Sequence, residues 1–177
     1  MIGKVYNMPP QPPVPENTRY LPAGAITFGV EYRNVDPESL ARTYADDAVY
    51  KAEFDEKSPE GGFFDEGVSI HVCGTEDGHE YVRFDVFADE PHYHYIHRTP
   101  SDAEIVNNVI DFDTAAHGEM LPWAIECLRS RLPAMLAEAE GGHLVAQLDS
   151  DLVGRTVDEI LRIAEQAQQA RRAVTKS

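Results

Sequence analysis

The chain is predicted to fold as an α+β domain: a small antiparallel sheet of three to five strands packed against a long helix, with an extended proline-rich N-terminal arm and a C-terminal helix. Three observations predict it. Apolar and polar residues alternate over Val68–Cys73 and Val82–Phe87 on either side of Asp77-Gly78, the period of a half-buried strand around a hairpin turn. Apolar residues recur at spacings of three and four from Leu121 to Leu136, as on one stripe of a helix. Six prolines between Pro9 and Pro22 remove amide donors and fix φ, which suits an extended arm. The expected boundaries are an arm over 1–24, the α+β domain over 25–145 and a helical appendage over 146–177.

In chain order, Ile26, Phe28, Val30 and Tyr32 share one parity and read as a strand. Asp36-Pro37-Glu38 opens a short helix, with Asp as cap and Pro in the first turn. Phe63-Phe64, beside the loop at Gly61-Gly62, are expected against the core. In the hairpin, a three-residue loop Asp77-Gly78-His79 pairs Val72 with Phe84 and Ile70 with Val86. It also sets His71 opposite Asp85 and Cys73 opposite Arg83, keeping apolar side chains on one face. His92–Arg98 reads as a third strand and 108–112 as a fourth. A helix is expected from Thr114 to about Glu140, kinked or divided by Pro133 and ended by Gly141-Gly142. Thr156-Val157-Asp158-Glu159 has the capping-box pattern of a last helix, whose end Arg171, Arg172 and Lys176 suit electrostatically.

Composition excludes several function classes. The 177 residues carry 42% hydrophobic side chains and a formal net charge of −16. One globular domain fits that length, and the charge opposes binding to nucleic acid or an anionic membrane. The two cysteines, Cys73 and Cys127, form no CxxC, so neither a zinc-thiolate site nor a disulfide framework is indicated. The N-terminal residues lack an apolar signal region, and no apolar run approaches a membrane span. A cytoplasmic location is therefore expected.

Chemistry is concentrated in Pro91-His92-Tyr93-His94-Tyr95-Ile96-His97. On a strand His92 and His94 point the same way and His97 the other. Parity places His71 and Asp85 beside the pair, so His92, His94, His71 and Asp85 form a candidate ligand set for a divalent transition metal. Ordinary cross-strand packing of histidine and tyrosine accounts for the same pattern without metal. Cupin proteins also carry HxH on a strand, but their downstream Glu and His have no counterpart here. P-loop, GxGxxG, HExxH and GxSxG motifs are absent, and no catalytic residue is identified.

Arg83-Phe84-Asp85-Val86-Phe87, Pro91-His92-Tyr93-His94-Tyr95 and the helix around Trp123 resemble an uncharacterised family of small bacterial proteins. The resemblance supplies no activity and no catalytic residues.

The leading expectation is a non-catalytic accessory or assembly subunit. It would contact a protein partner, or a second copy of itself, through the C-terminal helix and the arm residues Tyr6, Pro9, Pro10, Pro12 and Pro13. The alternatives are a small metal-dependent enzyme built on His92 and His94 with His71 or Asp85, and a small-ligand-binding protein with Tyr93 and Tyr95 lining a pocket.

Overall fold

Strict alternation in sequence becomes a sheet with two unlike faces. The computed structural model describes residues 3–98 and 104–175. Its strands are β1 (Gly3–Tyr6), β2 (Arg19–Ala23), β3 (Ile26–Val35), β4 (Asp65–Gly74), β5 (Glu80–Phe87), β6 (His92–Arg98) and β7 (Ile105–Asp111). They form one antiparallel sheet of order β1-β7-β6-β5-β4-β3-β2. The sheet has seven strands, not three to five, because both ends of the arm pair with it. β1 lies on β7 and β2 lies on β3.

One face is apolar. Ile26, Phe28, Ile70, Val72, Val82 and Phe84 are wholly buried there, each contributing about 1.5–3 kcal/mol on leaving water. This face is covered by α4 (Met120–Ser130), α5 (Leu132–Glu138), α6 (Gly142–Val145) and α7 (Ser150–Thr175). Trp123 packs its ring 5.9 Å from Phe84, 5.2 Å from Tyr93 and 4.9 Å from Phe112.

The helix expected over 114–140 is divided twice, after His117 as well as ahead of Pro133. A short α3 (Thr114–His117) ends at Gly118, which has φ +76°. Pro133 has no amide donor for the preceding turn, so the chain breaks at Arg131 and restarts with proline in the first turn of α5. α5 ends at Glu138, and the reversal falls on Glu140 rather than on the glycines: Glu140 takes the left-handed conformation (φ 63°), and Gly141 N–H donates to the Leu136 carbonyl at 2.7 Å. α7 starts before the expected capping box. Asp149 Oδ1 accepts from Leu152 N at 2.9 Å, whereas Thr156 lies inside the helix and donates to the Leu152 carbonyl. Val153, Val157, Ile160 and Ala164 of α7 are buried against the sheet. The C-terminal helix is thus part of the core. Lys176 lies outside the described residues, among which no helix is long and apolar enough to cross a membrane.

The hairpin keeps the expected faces but not the expected partners. Ile70 pairs with Phe84, Val72 with Val82, Ser69 with Asp85 and His71 with Arg83, with an irregularity at Val72/Cys73. The loop is longer than three residues. Gly74 N donates to His79 O at 2.9 Å, and Asp77 accepts from His79 N at 2.9 Å and from the Tyr81 hydroxyl at 2.6 Å. A two-residue slide preserves parity, so the apolar pattern alone does not distinguish the two registers.

The second face is polar and also covered. α1 (Pro37–Tyr44) and α2 (Ala48–Lys57) lie over it. The Asp36 carboxylate caps α1 through Ser39 N at 2.9 Å, as expected. Between β1 and β2 the arm crosses this face from one sheet edge to the other. Six strand spacings are about 29 Å; Pro15–Asn17 form a 3₁₀ turn in the arm, so its other nine residues, extended, and that turn reach about 34 Å. Met8 is buried, Tyr44 donates to the Pro9 carbonyl at 2.9 Å, and Asn7 N donates to Glu53 at 2.8 Å. Phe63 packs beside Phe87 on this side, whereas Phe64 is exposed.

Ile160→Ala tests the place of α7. Because Ile160 is fully buried, urea unfolding is expected to show a loss of about 2–5 kcal/mol. An appendage helix would lose less than about 0.5 kcal/mol.

Candidate metal centre

The polar face of β5 and β6 presents Arg83, Asp85, His92 and His94, because period-two geometry repeats one face every second residue. Asp85 pairs with His92 and Arg83 with His94 across the two strands. Asp85, His92 and His94 converge, their ligand atoms all within 4.8 Å of one another. Asp85 Oδ2 lies 2.9 Å from His94 Nε2 and 3.3 Å from His92 Nε2. Its other oxygen accepts from the Ser69 hydroxyl.

The far side of each imidazole determines what Nε2 can do. His92 Nδ1–H donates to the Glu90 carbonyl at 2.6 Å, and His94 Nδ1–H donates to Asn107 Oδ1 at 2.8 Å. With the proton held on Nδ1, each Nε2 presents a lone pair toward Asp85 unless a second proton is added. Glu90 is itself placed by Asp65, whose carboxylate gathers Ala88 N, Asp89 N and Glu90 N at 3.1, 3.2 and 2.7 Å. Metal-bound histidines are oriented in this way by acceptors behind the ring.

Burial penalises the Asp85 carboxylate, but the bonds from His92 and His94 and the charge of Arg83 outweigh it, holding its pKa well below the usual range. Burial also opposes protonation of His92, yet the Asp85 bond prevails and its pKa is raised. At His94 burial wins, helped by the charge of His92, and the pKa falls. His92 therefore takes up a second proton more readily than His94 does.

His71 stands one rung away and does not join them. The two-residue register difference places it across from Arg83, and both its ring nitrogens are occupied: Nε2 donates to Glu31 at 3.1 Å and Nδ1 to Glu80 at 2.5 Å. Burial disfavours its charge, but the two carboxylates raise its pKa. Glu80 also takes a bidentate pair from Arg83 at 2.8 and 2.7 Å. The expected ligand set thus reduces to Asp85, His92 and His94. Sequence reasoning missed Ser69, Asn107, Asp65, Glu31 and Glu80. Parity was the available signal for Ser69, Glu31 and Asn107, all inward on the polar face.

A cavity of about 220 Å³ lies against the triad. Tyr6 and Pro10 line it, Pro9 and Pro13 are half-buried along the arm, and Pro12 is exposed. Of the acids around 111–119, Asp111 lines the cavity and Asp113 caps α3 through Ala115 N and Ala116 N.

The pH dependence of the metal-free protein follows. Asp85 contributes stability present above about pH 3.9 and lost as pH falls through its depressed native pKa. His92 contributes stability present below about pH 6.5 and lost as pH rises through its raised native pKa. The urea midpoint is expected to fall between about pH 6 and about pH 9. His92→Gln should make that fall smaller; an unchanged fall would contradict the assignment of the proton to His92.

A family model described as Domain of unknown function (DUF7700) matches residues 20–164, and the chain belongs to that family. The triad and its anchors Asp65, Glu90 and Asn107 fall inside the matched region, whereas β1 and most of the arm precede it. No curated protein and no solved structure matches the chain.

Proposed function

We propose that this member of the DUF7700 family is a small metal-dependent enzyme whose divalent transition metal is held by Asp85, His92 and His94. The observation that carries the reading is the anchoring of both Nδ1 atoms, which directs two Nε2 atoms at one carboxylate oxygen. His94 Nε2 stands 2.9 Å from Asp85 Oδ2, so a cation held by both would take the place of the proton they share. The separations of 2.9 and 3.3 Å also suit a shared ion. Bonds of about 2.1 Å put neighbouring ligands about 3.0 Å apart in an octahedron and about 3.4 Å apart in a tetrahedron.

Two imidazoles and one carboxylate suit zinc, iron, manganese, cobalt or nickel. Three protein ligands leave positions open, the arrangement of catalytic sites rather than closed structural ones. The metal would polarise a bound substrate or lower the pKa of a bound water. The chain's own part is to orient the rings and to shield the centre beneath the arm, α1 and α2.

A second reading keeps the accessory-subunit role. Pro12, Val14 and Tyr20 are exposed along the outside of the arm and on β2, an edge strand, where another chain has room to lie.

Calorimetric titration of untagged, chelator-treated protein with Co²⁺ or Zn²⁺ tests the centre. One ion per chain is expected. His92→Ala and His94→Ala should each weaken binding at least about a hundredfold, and Asn107→Ala about ten- to a hundredfold. Folded variants that bind as the wild type does would sink the enzyme reading.

A further inference from the structure

Arg33 sits on the polar face of β3, buried, and lines the same cavity as Asp85, His92 and His94. Its guanidinium fork ends on neutral oxygens. Nη1 donates to the Gln11 carbonyl at 3.2 Å and Nη2 to Gln11 Oε1 at 2.6 Å. Among the described residues, Glu31 is the carboxylate in ion-pair range, and it approaches only Nε, at 3.5 Å. That carboxylate is otherwise engaged: Oε1 takes the His71 bond, and Oε2 accepts from Val14 N at 3.1 Å and from the Thr18 hydroxyl.

A planar guanidinium fork is matched by the two oxygens of one carboxylate. Gln11 imitates that pair with one main-chain and one side-chain oxygen, but without the charge. Burial and the nearby Arg83 cation both disfavour the charge on Arg33 and lower its pKa, so an anion at the fork is better placed than an amide. Gln11 is weakly held by comparison. It is half-buried, lies between β1 and β2 outside the strand ladder, and has an exposed bond to Thr43 at 3.1 Å.

We propose that the cavity binds a small organic carboxylate, whose carboxylate group displaces Gln11 from Arg33 while its carbon skeleton runs toward the Asp85–His92–His94 centre. The docking half stands without a metal, whereas delivery of the acid's other end to the centre rests on the enzyme reading. The apolar part of the lining, Tyr6, Met8, Tyr44, Phe54, Phe63 and Phe87, favours an organic acid over inorganic phosphate. A volume of about 220 Å³ lies below the ~300 Å³ at which pockets for larger ligands begin, so the acid is small. Gln11 is then both plug and specificity residue.

Succinate titrated calorimetrically into the metal-free full-length protein tests the docking half. Wild type is expected to bind it more tightly than inorganic phosphate. Gln11→Ala, which removes the competing oxygen, should tighten succinate about threefold or more; Gln11→Glu, which installs a rival anion, should weaken it about tenfold or more. Arg33→Lys should also weaken it about tenfold or more, with circular dichroism checking the fold. Succinate affinity unchanged in both Gln11 variants, or phosphate bound in preference, would overturn the inference. Co²⁺ titrated alone reads the metal centre separately. Co²⁺ binding without succinate binding removes only this inference, whereas succinate binding without Co²⁺ binding removes the enzyme reading and leaves Arg33 docking standing. A change in the Co²⁺ absorption on adding succinate supports delivery to the centre, and an unaltered spectrum refutes that half.

Discussion

Charge buried on one face of a sheet governs the rest of this structure. Glu31, Asp65, His71, Arg83, Asp85 and His94 are all buried, and each would cost several kcal/mol if left alone. None is. His71 bridges Glu31 and Glu80, Arg83 forks onto Glu80, and Asp85 gathers Ser69, His92 and His94. A polar layer of this kind holds only while water is kept off it. The chain therefore folds α1, α2 and the proline arm over a surface that, in most two-layer α+β domains, would face solvent.

That arrangement explains what was legible in the sequence. Alternation along β3, β4, β5 and β6 separated the two faces, and it placed Asp85, His92 and His94 together because parity survives any even slide of one strand past another. The same property hid the register. With Ile70 opposite Phe84 rather than Val86, the apolar face looks equally good, yet His71 moves one rung from Asp85 and becomes the bridge between Glu31 and Glu80. The apolar alternation does not encode that choice; the loop held by Asp77, His79 and Tyr81 makes it. The arm was misjudged for a related reason. Proline content points to extended backbone, yet Pro15–Asn17 form a 3₁₀ turn, and Gly3–Tyr6 and Arg19–Ala23 join the sheet through backbone pairing, which composition does not reveal. The division of the helix at Gly118 and Pro133 was half visible: Pro133 announced its break, whereas the left-handed Glu140 has no sequence signature.

The centre also shows how main-chain geometry sets side-chain chemistry. Asp65 holds three consecutive amides of the β5–β6 turn. This turns the Glu90 carbonyl toward His92 and so decides which imidazole nitrogen carries the proton. Asn107 does the same for His94 from β7. The reactive character of the pair is thus set by the acceptors behind the two rings, and four strands contribute to a site that the sequence pattern spreads over three.

The crossing arm is fastened at both rims of the sheet, by four residues of β1 on one side and five of β2 on the other. Such a band cannot swing aside on a hinge. It must bow outward between Asn7 and Thr18, or one fastening must come undone. β1 is the shorter, and its residues are mostly exposed, so its ladder to β7 is the weaker clasp. Fraying at the sheet's margin then loosens one end of the band, and amide exchange along Gly3–Tyr6 becomes a clock for how often that clasp lets go.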